Sequence, residues 1–432
     1  MKKWVGKKQS ARPIVLAAAC CLAWEVSVMA QAIQPPVPPR RLIVNDDGHG
    51  GFYGGRLDRA EALRKHPQRF RDTHLWIYQW GVMLGTKVNY PSKVVELCGE
   101  GATPEVLSQV REGDRRLTAL LQKLRADGVD TLQCVAQGCH EAGILCYVTI
   151  RANPVYPLKA QGWPDGSMAG FYNAKFWWDH PEFRIVQKSG KEHPALSYAF
   201  PEVREWKLAI LREALQRDID GIDIDFLRHP PVLGYEAPLV QGFQAKFSAD
   251  PKTLPDDDAR WLQYRCDVMS DFMREVRRAV NEAAESKGRP LGISVRIDHR
   301  YFRAWGLDIE AWMKERLIDI LVVGQHGLGG YVFDLTPFVK MAEGTGCLVF
   351  VSEEGIVEGR DPAPQDERDP KAVRPPSRAM TLQEHCRRAA TWYGQGASGI
   401  HLFNQLSVDV AKALGDAALC AETGKEARIK TD

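Results

Sequence analysis

The chain has 432 residues, 44% hydrophobic and 26% charged, a balance that is ordinary for a globular protein and long enough to bury a large core without disulfide or metal staples. Its 57 basic and 55 acidic residues leave a net charge of +2, so no strong field argues for nucleic acid or an anionic membrane as a partner. What the protein binds has to be argued from a site.

In chain order, Lys2, Lys3, Lys7, Lys8 and Arg12 precede an apolar run over 13–24 and the small-x-small triplet Ala30-Gln31-Ala32. That is the pattern of a secretory signal peptide over 1–32, too short for a membrane span. It predicts export to the periplasm or beyond. Ala19-Cys20 offers a lipoprotein reading, weakened by Ala17 where a larger aliphatic residue is usual. No later apolar run would span a bilayer. A Pro-rich linker follows over 33–40. Eight cysteines remain beyond the signal, with neither a CxxC pair nor Cys/His ligand spacing, so they read as small buried hydrophobes with one or two bridges open to them.

Eight apolar strand-like runs then alternate with helical patterns, the signature of a βα repeat. They cover 41–46, 74–80, 145–152, 220–227, 291–298, 318–325, 347–353 and 399–404. Apolar residues recur at helical spacing most clearly over 202–217, 258–285, 309–316 and 382–393. The expected fold is therefore α/β, a (β/α)8 barrel over 41–415, with 416–432 as a tail. A doubly wound sheet would want a phosphate loop, and Asp47-Gly48-His49-Gly50-Gly51 lacks the GxGxxG spacing. Connections 81–144 and 153–202 are long, and loops after barrel strands build active sites. The Pro-, Asp- and Arg-rich stretch 360–377 reads as a mobile loop after strand seven.

The most informative segment is DGIDIDFLRHP over 220–230, where Asp223 and Asp225 share one strand face and Ile222, Ile224 and Phe226 the other. Inward acids at the carboxyl end of a barrel strand are where barrel enzymes keep their chemistry. Polar residues recur at the other strand ends: Asn45, Asp46 and Asp47; Gln79 and Trp80; Arg151 and Asn153; Arg228; Arg296 and Asp298; Gln325 and His326; Glu353 and Glu354; Asn404 and Gln405. Such a set suits a ligand with many hydroxyls. Glycosidic hydrolysis needs two carboxyl groups. Asp225 is the first candidate, as nucleophile or base. Across the barrel stands Glu353 or Glu354, the alternation of Val349, Val351 and Glu353 favouring Glu353 as acid/base. Asp46, Asp47, Trp80, Arg151, Asn153, Asp223, Arg228, Arg296, Asp298, His326, Glu354 and Asn404 are expected to bind substrate, with Arg296 inward beside the strand-four acids. Aromatics at Trp76, Tyr78, Trp80, Trp163, Phe171, Tyr172, Phe176, Trp177 and Trp178 support a sugar ligand. No cofactor and no metal are expected.

DGIDIDFLRHP, with Tyr198-Ala199-Phe200-Pro201-Glu202-Val203-Arg204 and the opening LIVNDDG, resembles the bacterial glycosyl-hydrolase-like barrel families related to the family-10-like group. Their strand-four motif, approximately DGIxxDxxRxP, is matched by Asp220, Gly221, Ile222, Asp225, Arg228 and Pro230. The resemblance implies exported proteins that hydrolyse a polysaccharide. Asp220, Asp223 and Asp225 also resemble part of the family-18 chitinase motif, but Leu227 stands where those enzymes carry their proton-donating glutamate. LIVNDDG is similar to the opening of metal-dependent carbohydrate deacetylases, yet the eleven histidines include neither HxxxH nor HxH. The rival to a hydrolase is a catalytically silent barrel that holds glycans or a cell-wall partner.

Overall fold

In the computed structural model, which describes residues 42–156, 167–325, 333–358 and 378–426, eight parallel strands close into a ring. They are β1 (Leu42–Asp46), β2 (Leu75–Gly81), β3 (Leu145–Arg151), β4 (Gly221–Asp225), β5 (Gly292–Asp298), β6 (Ile320–Gly324), β7 (Leu348–Glu354) and β8 (Gly399–Phe403). Each pairs with its sequence neighbours, and β8 closes on β1. This is the (β/α)8 barrel, with all eight strands where hydrophobic patterning placed them.

The helices lie between strands, among them Ala60–Gln68, Pro201–Ala214, Ala259–Lys287 and Leu382–Gly394. Asp258 caps the longest of these through its carboxylate, and Gly288 ends it in the left-handed region at φ 63°. Long connections follow β2 and β3 as expected. The first holds the ribbon Met83–Leu84/Lys87–Val88 and helix Glu112–Ala126; the second holds Lys175–Asp179 and the ribbon Arg184–Val186/Glu192–Leu196. The stretch read as a tail carries a helix, Ala417–Glu426. The expected signal peptide, linker, Trp163, His326 and the loop over 360–377 lie outside the described residues.

Alternation sorts the strand residues into two faces. Outward residues such as Val44, Val148, Ile222, Ile224, Val295, Val351 and Leu402 join the large core under the helices. Inward residues stack in levels. Ile43, Ile77, Tyr147, Val322 and Phe350 fill the lower level, where Gly221 and Gly292 make room for the Tyr147 ring: a Cβ on Gly292 would stand 2.0 Å from its hydroxyl.

Above that plug lies a polar level joined strand to strand. Asn45 donates to Thr149 Oγ1 at 3.1 Å, and Thr149 donates to Asp223 at 3.1 Å. Ser294 donates to the other Asp223 oxygen at 2.7 Å, while Gln79 donates to Ser294 at 3.3 Å. His401 continues the chain, 2.9 Å from Gln79 Oε1 and 3.1 Å from Ser352 Oγ. Seven of the eight strands contribute, so these buried polar groups satisfy one another and form a floor beneath the mouth.

Candidate active site at the barrel mouth

The rim above the polar floor is made by Asp47, Arg151, Asp225, Arg296, Glu354 and Phe403, the inward positions at or just past the strand ends. Asp225 Oδ1 accepts from the backbone of Leu227 at 3.0 Å and Arg228 at 3.3 Å, which fixes the carboxyl over the turn. Its Oδ2 is buried without a hydrogen-bond partner among the described residues. Arg296 is 1% exposed and lies flat on Phe403, its guanidinium carbon 3.7 Å from the ring centroid. Arg296 Nε is 3.8 Å from Asp225 Oδ1, and Nη2 is 3.9 Å from Glu354 Oε1. None of the three guanidinium nitrogens has an acceptor within hydrogen-bond range among the described residues.

One cation therefore stands between carboxylates from β4 and β7. Both lie within 4.0 Å of it, which bounds the distance between them at about 10 Å, the span of two-carboxylate glycosidic mechanisms.

Beside this trio, Asp47 pairs with Arg151 and accepts from Asn404 Nδ2 at 2.6 Å. Burial raises its pKa, but Arg151, His49, Asn404 and Arg228 together bring it below the ordinary carboxylate range. Asn404 also accepts from the Asp47 amide at 3.0 Å and sits at φ 54°. The loop holding Asp47 depends on Gly48, at φ +72°, whose Cβ would meet the Gly81 carbonyl at 1.9 Å. Asp223 lies just beneath Asp225. Burial, then the neighbouring Asp225 charge, push its pKa up to about 7 against the hydroxyls of Ser294 and Thr149 and the Arg296 charge. Burial, reinforced by Arg296, drives the His401 pKa well down, so that ring is neutral.

Several expected site residues point elsewhere. Glu353 faces the helices: with Val349 and Val351 it occupies the outward face of β7, 3.4 Å from His385 Nδ1 and 3.8 Å from Arg388 Nη1. Phe350, Ser352 and Glu354 take the inward face, so Glu354 is the carboxylate that shares the mouth with Asp225. Asp46 also faces outward, bound by His66 at 2.8 Å and Tyr78 at 2.7 Å, and it accepts from the Gly48 amide at 2.9 Å. It braces the loop that presents Asp47. Trp80 is fully buried in the outer core, stacked near Tyr78.

Asn153 spends its amide on backbone, donating to Leu196 and Pro231 carbonyls and accepting from the Leu196 amide. Asp298 is taken up by the amides of Arg300 and Tyr301 and the Arg300 guanidinium, closing the turn after β5. Asp220 belongs to the opposite end of the barrel, where it binds His140, the Cys146 amide and Arg289.

The aromatic cluster is mostly core. Phe176 stacks on Trp206 at 4.6 Å, Trp177 carries Arg184 at 4.1 Å, and among the described members of the group only Trp178 is exposed. The rings that do adjoin the rim, Phe403 and Tyr156, escaped sequence reading. Tyr156 stacks on Tyr172 at 4.5 Å and meets His229 edge-on.

Asp46 and Asp47 face opposite sides of the barrel wall, so they cannot act on one substrate as a deacetylase pair does. Among the described residues no three His, Cys, Asp or Glu side chains converge as a metal-binding group. Leu227, in the place of the chitinase glutamate, is buried beside Gly324.

The protein is thus a closed parallel barrel whose mouth gathers two carboxylates around a buried arginine. No family model matches the chain, and no curated protein matches it in sequence. Among solved structures it is similar to a family 18 N-acetylglucosaminidase from Paenibacillus barengoltzii, with 10% identity, a TM-score of 0.40, and coverage of 89% of this chain and 99% of that one. The C-terminal domain of a putative chitinase from Desulfitobacterium hafniense gives 12% identity and a TM-score of 0.42, over 89% and 99%. A cycloisomaltooligosaccharide glucanotransferase from Paenibacillus gives 10% and 0.41, covering 72% of this chain; the chain spans 38% of that protein's length. The fold assignment rests on the closed ring of strands itself.

Proposed function

We propose that the protein is an exported glycoside hydrolase that cleaves a polysaccharide at the barrel mouth. Asp225 is the nucleophile or base, and Glu354 the acid/base partner. The observation that carries this reading is Arg296, buried between the two carboxylates with its N–H groups unmet among the described residues. A guanidinium only donates hydrogen bonds, and a group that both accepts and donates, such as a hydroxyl, can bridge it to a carboxyl oxygen. A sugar offers hydroxyls in a row.

In this reading Arg296 accepts no proton. It sets a positive charge beside both carboxyl groups and donates to substrate oxygens. Asp225 Oδ2, free of protein donors among the described residues, points its lone pairs to the anomeric carbon or to the water that attacks it. Glu354 protonates the leaving oxygen, a transfer that contributes roughly 10²–10⁴-fold. Asp47, Arg151, Arg228 and Asn404 form the polar wall that orients the sugar, and Tyr156 and Phe403 supply ring surfaces.

The test is a panel of bacterial and plant polysaccharides with product analysis. Once a substrate responds, Asp225→Asn should bind it with turnover reduced at least 10²-fold. Full turnover by that variant removes Asp225 from the mechanism. Binding without turnover by the parent protein makes it a silent glycan holder.

A further inference from the structure

Away from the mouth, helix Ala417–Glu426 packs against helix Leu382–Gly394, the one between β7 and β8. The Tyr393 hydroxyl ties the same region down by donating to the Leu414 carbonyl at 2.7 Å. Between the two helices lie Cys386 and Cys420, both fully buried and both free thiols. Their side chains interact as a hydrogen-bonded pair, with Cys420 Sγ also 3.4 Å from the Ala413 carbonyl.

The two thiols are unequal. The hydrogen bond from Cys420 and the nearby His385 hold the Cys386 pKa below its ordinary value against burial. The same bond, then burial, push Cys420 up.

We propose that Cys386 and Cys420 form a disulfide, by exchange with a donor disulfide of the oxidised glutathione class, and that it clamps helix Ala417–Glu426 onto the barrel. The Cys386 thiolate attacks one sulfur of the donor and displaces a donor thiolate, giving a mixed disulfide. Cys420 loses its proton, attacks the Cys386 sulfur and displaces the second donor thiol. Two protein thiols and one donor disulfide become one protein disulfide and two donor thiols.

Access requires the short helix to lift, and a helix with one buried face opens at lower cost than a barrel strand. The clamp braces a helix that also carries His385 and Arg388, the partners of Glu353 behind β7. It is independent of the glycan reading, since none of these groups reaches the mouth.

Full-length protein is incubated with oxidised glutathione, alkylated and digested without reduction for mass spectrometry. The expected product is one cross-linked pair of peptides joining Cys386 to Cys420, with thiols titrated in denaturant falling by two per chain. Dithiothreitol should then lower the melting midpoint of the oxidised protein by several degrees, and leave the double variant Cys386→Ser, Cys420→Ser unmoved. Alkylation of both cysteines, separate glutathione adducts on each, or an equal midpoint shift in the double variant overturns the proposal.

Discussion

Arg296 shows how one residue can set the chemistry of a mouth: stacked on Phe403, it places a fixed positive charge between Asp225 and Glu354. The level beneath it carries a titration that can be measured. Folded Asp223 holds its proton to about pH 7, whereas an unfolded aspartate releases it near pH 4. Between those values the folded chain binds the extra proton, so stability falls as pH rises through that window, and the full cost is present above it. Asp223→Asn removes the titration. Its stability relative to the parent should improve between pH 4 and 7 by something on the order of 2–4 kcal/mol, and change little outside that range. A gap in melting midpoint that stays constant from pH 4 to 8 contradicts the assignment. At the rim, Asn404→Ala should cost about 1 kcal/mol more stability than Asn404→Gly, because the left-handed backbone at φ 54° penalises a Cβ without a polar side chain. Chemical denaturation of the two variants measures the difference.

At this scale the sequence was legible where polarity was one-sided. The acids of β4 alternate with isoleucines, which gave their direction. On β7 both faces are apolar lower down, as is common in parallel barrels, so Val349 and Val351 did not mark the inside. Ser352 did carry the signal, since a small polar residue flanked by valine and a carboxylate joins the polar floor, and it shares its face with Glu354. Asp46 and Trp80 misled for the same reason: a strand end exposes two directions, and only the loop that follows decides which one opens to solvent.

Elements were read more securely than residues. Buried strands of a parallel barrel are continuous apolar runs between polar turns, and all eight fell within three residues of their expected bounds at each end. The long connections after β2 and β3 were likewise visible from spacing, but the ribbons and short helices inside them were not, because two- and three-residue strands carry no periodicity. Helix Leu382–Gly394, with its capping box from Thr381 and Glu384, turns out to hold the outward carboxylate Glu353. Glu353→Gln should therefore act on stability: loss of a buried carboxyl group facing His385 and Arg388 is expected to cost about 2–3 kcal/mol. Scanning calorimetry would read this as a midpoint lower by several degrees, with turnover per folded molecule unchanged.

Across the whole molecule, the levels of the barrel divide the work. An apolar plug closes the lower end, a hydrogen-bonded floor crosses seven strands, and charged side chains crowd the rim. Convergence of groups from β1, β3, β4, β5, β7 and β8 follows from ring closure alone, which is why a sequence scattered over some 360 residues from Asp47 to Asn404 could be read as one site. Which side chains bend into the mouth depended on register and loop packing, and those appear only in three dimensions. The most direct test compares Glu354→Gln with Glu353→Gln on a polysaccharide that the parent protein cleaves. Turnover should fall roughly 10²–10⁴-fold for Glu354→Gln and stay near the parent value for Glu353→Gln. The reverse ranking, or full activity in Glu354→Gln, contradicts the claim that hydrolysis takes place around Arg296 at the barrel mouth.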